Sequence, residues 1–155
     1  MLQFSGLDRQ GFGELYADSG YGRVTKVDGN IITLTGARDV LGTWMTSRDF
    51  IMLKGKFELI ADLYRFETQD SDWEDRPLIL KRKLEVTLED GSSAVLPVGE
   101  QLLPTASDAE SIVHLVTRDG VQCSVEISAN EENGWGFLVN GEKEEDVFEY
   151  IPYAD

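Results

Sequence analysis

The feature that most limits how this chain can fold is an Asp119-Gly120 step set between two alternating apolar runs. One run is Ile112-Val113-His114-Leu115-Val116-Thr117-Arg118 and the other Val121-Gln122-Cys123-Ser124-Val125-Glu126-Ile127. Asp-Gly between such runs specifies a β-hairpin, because both residues of its tight turn need a positive φ. A two-residue loop predicts the pairs Arg118–Val121, Val116–Cys123, His114–Val125 and Ile112–Ile127. That register puts His114 and Cys123 on one face, diagonally about 7–8 Å apart backbone to backbone. After a polar break, Gly134-Trp135-Gly136-Phe137-Leu138-Val139 leads to a second turn signal at Asn140-Gly141.

The rest of the chain reads the same way, as an all-β protein built of antiparallel hairpins and meanders. Residues 1–20 show no apolar period and read as an extended arm or loop. Tyr21–Val27 and Ile31–Thr35 flank Asp28-Gly29-Asn30 and form a hairpin. Gly36 to Gly42 reads as a connector, and Ser47-Arg48-Asp49 as a turn inside Trp44–Leu53. Residues 56–66 carry Phe57, Ile60, Ala61 and Tyr64 at helical spacing but have no N-cap, and the neighbouring strands favour β. Thr68 to Arg76 is a polar loop, Leu78 to Leu88 a strand, and Ala94–Leu96 its partner after the turn at Glu89–Ser92. Pro97 and Pro104 bracket a loop in which Leu102-Leu103 is at most a short edge piece. Val147 to Ile151 reads as a closing strand. This divides the chain into an amino-terminal meander, residues 1–77, and a second subdomain, residues 78–155.

Charge excludes several partners. The formal net charge is −15, with 29 acidic against 14 basic side chains. Such a field repels phosphate backbones and anionic lipid surfaces, so no nucleic-acid partner is expected. No apolar run is long enough to span a membrane. The amino terminus lacks the basic and apolar regions of a signal peptide, and the single cysteine excludes an internal disulfide.

Catalytic chemistry finds few footholds. His114 and Cys123 are the only residues of their kinds, and no third orienting group accompanies them, so no enzyme is expected. One histidine and one cysteine are too few for a zinc or iron–sulfur site. Two acidic clusters have the oxygen ligands of a hard-cation site: Asp70, Asp72, Glu74 and Asp75, and Glu142, Glu144, Glu145 and Asp146. Neither fits the twelve-residue calcium loop, and a solvated charge run is the simpler reading. No phosphate-binding glycine loop and no nucleophile elbow occurs, so no cofactor is expected. In Lys81-Arg82-Lys83, strand alternation turns Arg82 away from both lysines and towards neighbouring acids.

Aromatic side chains are the remaining candidates. Most large rings fill cores. Trp135, Phe137, Phe148, Tyr150 and Tyr153 gather near the carboxyl end, and Trp73 lies within an acidic loop. The functional reading is that Trp135 with one or two tyrosines walls a shallow groove for peptide or glycan.

Residues 84–151 resemble the bacterial SH3-like (SH3b) β-barrel modules. The resemblance is carried by Asn133-Gly134-Trp135, by Asn140-Gly141-Glu142-Lys143, and by Leu102 to Asp108, which looks like the family's long loop after its first strand. Where that family usually has a second Gly-Trp, this chain has Glu144-Glu145-Asp146-Val147-Phe148. The resemblance implies a small, partly open SH3-like barrel and a non-catalytic binding module of a bacterial secreted or envelope protein, recognising peptide or cell-wall glycan. The alternative from charge is an acidic inhibitor or immunity-type protein that binds a basic partner protein.

Overall fold

The computed structural model describes residues 22–154, so the expected arm over residues 1–20 lies outside the described residues. The fold is all-β, with the described strands joined in one antiparallel sheet that is not closed into a barrel. The strands expected to make the partly open barrel of residues 78–155 belong to that same open sheet.

Local turn chemistry accounts for the hairpins. Strands β1 (Arg23–Asp28) and β2 (Ile31–Asp39) are joined through Gly29, whose φ is +59° at the first loop position. β2 continues through residues 36–39, where the sequence suggested a connector, and pairs along its whole length with β3 (Thr43–Leu53). The turn expected at Ser47-Arg48-Asp49 is absent, and those residues run mid-strand. Cross-strand polar pairs hold them extended: Thr33 donates to Asp49 at 2.7 Å, and Arg65 donates to the same carboxylate at 2.8 Å. β3 turns at Lys54-Gly55, both with positive φ, as a two-residue hairpin loop requires. The stretch 56–66 forms two strands, β4 (Lys56–Leu59) and β5 (Tyr64–Phe66), joined by a bend over residues 60–63. The loop expected over residues 68–76 contains one helical turn, α1 (Asp72–Asp75).

The segment read as one strand over residues 78–88 is two, β6 (Leu78–Ile79) and β7 (Leu84–Leu88), followed by β8 (Ser93–Leu96). Arg82, in the break, pairs with Glu142 at 2.9 Å. The expected loop around Pro104 is in fact β9 (Gln101–Ser107), a central strand. Proline is tolerated there for two reasons. Against β10 (Ile112–Thr117) it sits at a bulge, where Leu115 faces Pro104 and His114 faces Ala106. Along the other edge, β5 pairs only at Ala106-Ser107 and β6 only at Gln101-Leu102, so no strand faces Pro104. A missing N–H costs no ladder bond at that point.

The hairpin of β10 and β11 (Gln122–Ala129) forms as expected, in a different register. Leu115 faces Cys123, His114 faces Ser124 and Val113 faces Val125. The loop has three residues, Arg118-Asp119-Gly120: Thr117 N–H donates to the Val121 carbonyl, and Gly120 has φ +93°. One residue of slip reverses the faces of β10. Val113, Leu115 and Thr117 enter the core, while His114 and Cys123 lie on opposite faces. The Cys-His juxtaposition is therefore absent.

β12 (Phe137–Val139) and β13 (Glu142–Lys143) meet at Asn140-Gly141, both with positive φ. Residues 144–147 form a helical turn, α2 (Glu144–Val147), which takes in Val147, the first residue of the expected closing strand. Beyond it, strand character is limited to one bridge between Phe148 and Leu80. The main core combines Val40, Leu41 and Trp44 with Leu78, Leu80, Leu102, Val113, Val147 and Phe148, and Ile32, Leu34 and Phe50 form a smaller cluster.

Candidate functional site

The carboxyl-terminal segment is pinned across the β2–β3 connection. Thr43 N–H donates to the Pro152 carbonyl at 3.0 Å, and Ala154 N–H donates to the Thr43 hydroxyl at 2.8 Å. Arg76 reinforces this: its guanidinium stacks 4.4 Å from the Trp44 ring centroid and donates to the carbonyls of Pro152 and Thr43. The tail packs closely enough that a Cβ on Gly42 would lie 2.9 Å from the Pro152 ring.

With the tail held there, Tyr153 reaches the loop between β11 and β12. That loop is organised by Asn130, a buried residue whose side chain accepts from Asn133 N–H at 3.2 Å and whose N–H donates to the Gly136 carbonyl at 3.0 Å. Gly134 and Gly136, with φ +76° and +79°, flank Trp135 and turn it outward, 64% exposed. Its ring meets Tyr153 edge-on, at 6.1 Å between centroids and 83° between planes. Tyr150, 67% exposed, stands on the same cleft. Phe148 and Glu144, 1% and 2% exposed, are its buried lining residues. The cleft has a volume of about 390 Å³ and is also lined by Glu145, Glu149 and Ile151.

Glu144 is the polar anchor. Tyr153 donates its hydroxyl to the carboxylate, and Phe137 N–H donates to Oε1 at 2.8 Å. Burial holds the Glu144 carboxyl above its ordinary range, against the opposing pull of those donors. Burial, then the hydrogen bond to Glu144, pushes the Tyr153 phenol well above its ordinary range. A Cβ on Gly136 would lie 2.3 Å from Glu144 Oε1, so only glycine lets the carboxylate approach this backbone.

Of the aromatic candidates, Trp135, Phe148, Tyr150 and Tyr153 share the cleft. Phe137 and Trp73 are partly buried and pack on the main core. Asp70, Asp72, Glu74 and Asp75 converge on no ion site, and among the described residues no acidic cluster has metal-binding geometry. Asp72 accepts from Gln69 N–H at 2.8 Å, and Glu74 pairs with Arg118. Glu144, read from sequence as part of a solvated acidic run, is the residue whose role was missed. The local signal that could have pointed to it is Gly-Trp-Gly, two permissive residues around one large ring.

Other hollows lie elsewhere on the sheet. One, about 460 Å³, lies between Glu85 and Asn140, a second, about 350 Å³, lies beside His114, and a third, about 550 Å³, lies beside Tyr64 and Arg48. None gathers more than one aromatic side chain. No family model, no curated protein and no solved structure matches this chain.

Proposed function

We propose that the protein is a non-catalytic binding module that takes a peptide or glycan in the cleft between Trp135, Tyr150 and Tyr153. The observation that carries this reading is the exposure of Trp135 and Tyr150, at 64% and 67%, beside a cleft with a buried lining. Large rings left in water next to a concave, partly apolar surface are the ordinary makings of a recognition site. The SH3b resemblance of residues 84–151 supports the same reading, and with it an envelope or secreted setting. The test is titration with cell-wall fragments and peptides, following Trp135. Saturable binding that Tyr150→Ala weakens without lowering the urea midpoint supports the reading, and silence towards every such ligand ends it.

The net charge of −15 favours a second reading, an acidic inhibitor that blocks a basic partner protein. Broad charge complementarity loses affinity steeply with added salt, whereas groove binding changes little.

A further inference from the structure

Among the described residues, the Glu144 carboxylate has hydrogen-bond donors but no opposite charge. Both donors, the Tyr153 hydroxyl and the Phe137 N–H, are neutral, and among the described residues no basic side chain pairs with it. Lys81, the ammonium bonded to α2, donates to the Glu145 backbone carbonyl at 3.2 Å and to no carboxylate of the cleft. Glu145 and Glu149 add two more acids to the lining, and neither forms an ion pair among the described residues.

A buried carboxylate without a counter-charge is expensive to keep ionised, and a cation brought beside it offsets that cost. Aromatic faces attract cations as well, tryptophan most strongly. Trp135 and Tyr150 bring such faces to the cleft that holds the three acids. A neutral sugar would gain stacking but leave the acids uncompensated, and an anion would meet repulsion from them and from the net charge of −15. We infer that the cleft receives a cationic side chain, lysine or arginine, displayed by a peptide partner.

This inference rests on the cleft being the binding site, and its test separates the two. Four probes are titrated while the indole N–H resonance of Trp135, assigned by its loss in Trp135→Phe, is followed. They are capped Gly-Lys-Gly, Gly-Arg-Gly and Gly-norleucine-Gly peptides, and a trimer of N-acetylglucosamine. The expected result is saturable binding of a cationic peptide at least tenfold tighter than the norleucine peptide. The Glu145→Gln/Glu149→Gln double variant should weaken it at least threefold, with resonances outside the cleft unmoved. Equal binding of the norleucine peptide or the trisaccharide overturns the cation inference and leaves the cleft reading standing. Cationic binding that ignores the double variant overturns it too. A Trp135 resonance that responds to none of the four overturns both.

Discussion

The Tyr153 hydroxyl lies 2.9 Å from Oε1 and 2.8 Å from Oε2 of Glu144, joining the carboxyl-terminal tail to the first residue of α2 across a buried carboxylate. This contact ties the tail to the cleft and gives the buried carboxylate a neutral donor. Tyr153→Phe removes it while retaining the ring, and should cost about 1–3 kcal/mol at neutral pH, the usual penalty for an unsatisfied buried polar group. Urea unfolding measures the loss.

Glu144 should also leave a signature in the pH dependence of stability. Its carboxyl is held above the ordinary value of 4.5 by burial, so between that value and the raised one the folded state binds more protons than the unfolded. Its contribution is therefore fully present below the ordinary value and is lost as pH rises through the raised one. Relative to the wild type, Glu144→Gln should gain stability as pH rises from the ordinary value of 4.5 through the raised one. A stability difference that stays constant over this range contradicts the assignment.

Two glycines with similar backbones separate strain from contact. Gly91 and Gly136 have φ +86° and +79°, but a Cβ on Gly91 meets nothing within 4 Å, and one on Gly136 strikes Glu144. Gly91→Ala should cost about 1–2 kcal/mol for the left-handed backbone alone. Gly136→Ala should exceed it by about 1–3 kcal/mol, because Glu144 must surrender its donors. Equal urea midpoints for the two variants would contradict the close approach.

The turn before β10 is tied by Asp108. Its Oδ1 accepts from the N–H groups of Glu110, Ser111 and Ile112 at 2.9, 2.8 and 3.1 Å, and Oδ2 accepts the Ser111 hydroxyl. Burial opposes ionisation here, but the hydrogen bonds from Ser111, Glu110 and Ile112 outweigh it and hold the carboxyl below the ordinary 3.8. Stability from this group is present above the ordinary value and is lost as pH falls through the depressed one. Asp108→Ala should cost about 1–3 kcal/mol at neutral pH, and the gap to wild type should shrink below about pH 3.8.

Cys123 should be inert in the native protein. Burial, then the charge of Glu100, pushes its thiol from 9.0 up to about 11, which lowers the thiolate fraction about a hundredfold. Iodoacetamide at pH 8 should modify it quickly in urea and barely at all without. Rapid labelling of the folded chain would place Cys123 outside the core.

Signals confined to a few neighbouring residues were legible without coordinates. Asn140-Gly141 makes the two-residue turn expected of it, since positive φ at both positions is a property of those residues themselves. Residues 56–59 and 64–66 are strand, as the neighbouring strands and the missing N-cap favoured. Arg82 does pair with an acid, Glu142, but from the break between β6 and β7 and not through the strand alternation expected of it. Pro104 was misread because proline excludes only a donor, and whether a donor is needed depends on the strands alongside. Those strands, β5, β6 and β10, come from three separate parts of the chain.

Short-range signals suffice to make this an antiparallel all-β protein, to place several of its tight turns, and to show that it is strongly acidic. These follow from side-chain alternation, from local φ preferences and from counting charges. The tertiary structure alone decided the β10–β11 register, which face of β10 is buried, and the conversion of Glu144 from one acid in a run to the anchored carboxylate of an aromatic cleft. The physical reason is range. A turn residue acts on its own backbone, whereas burial and charge compensation depend on partners such as Tyr153 and Gly136, which only the folded chain brings to the same carboxylate.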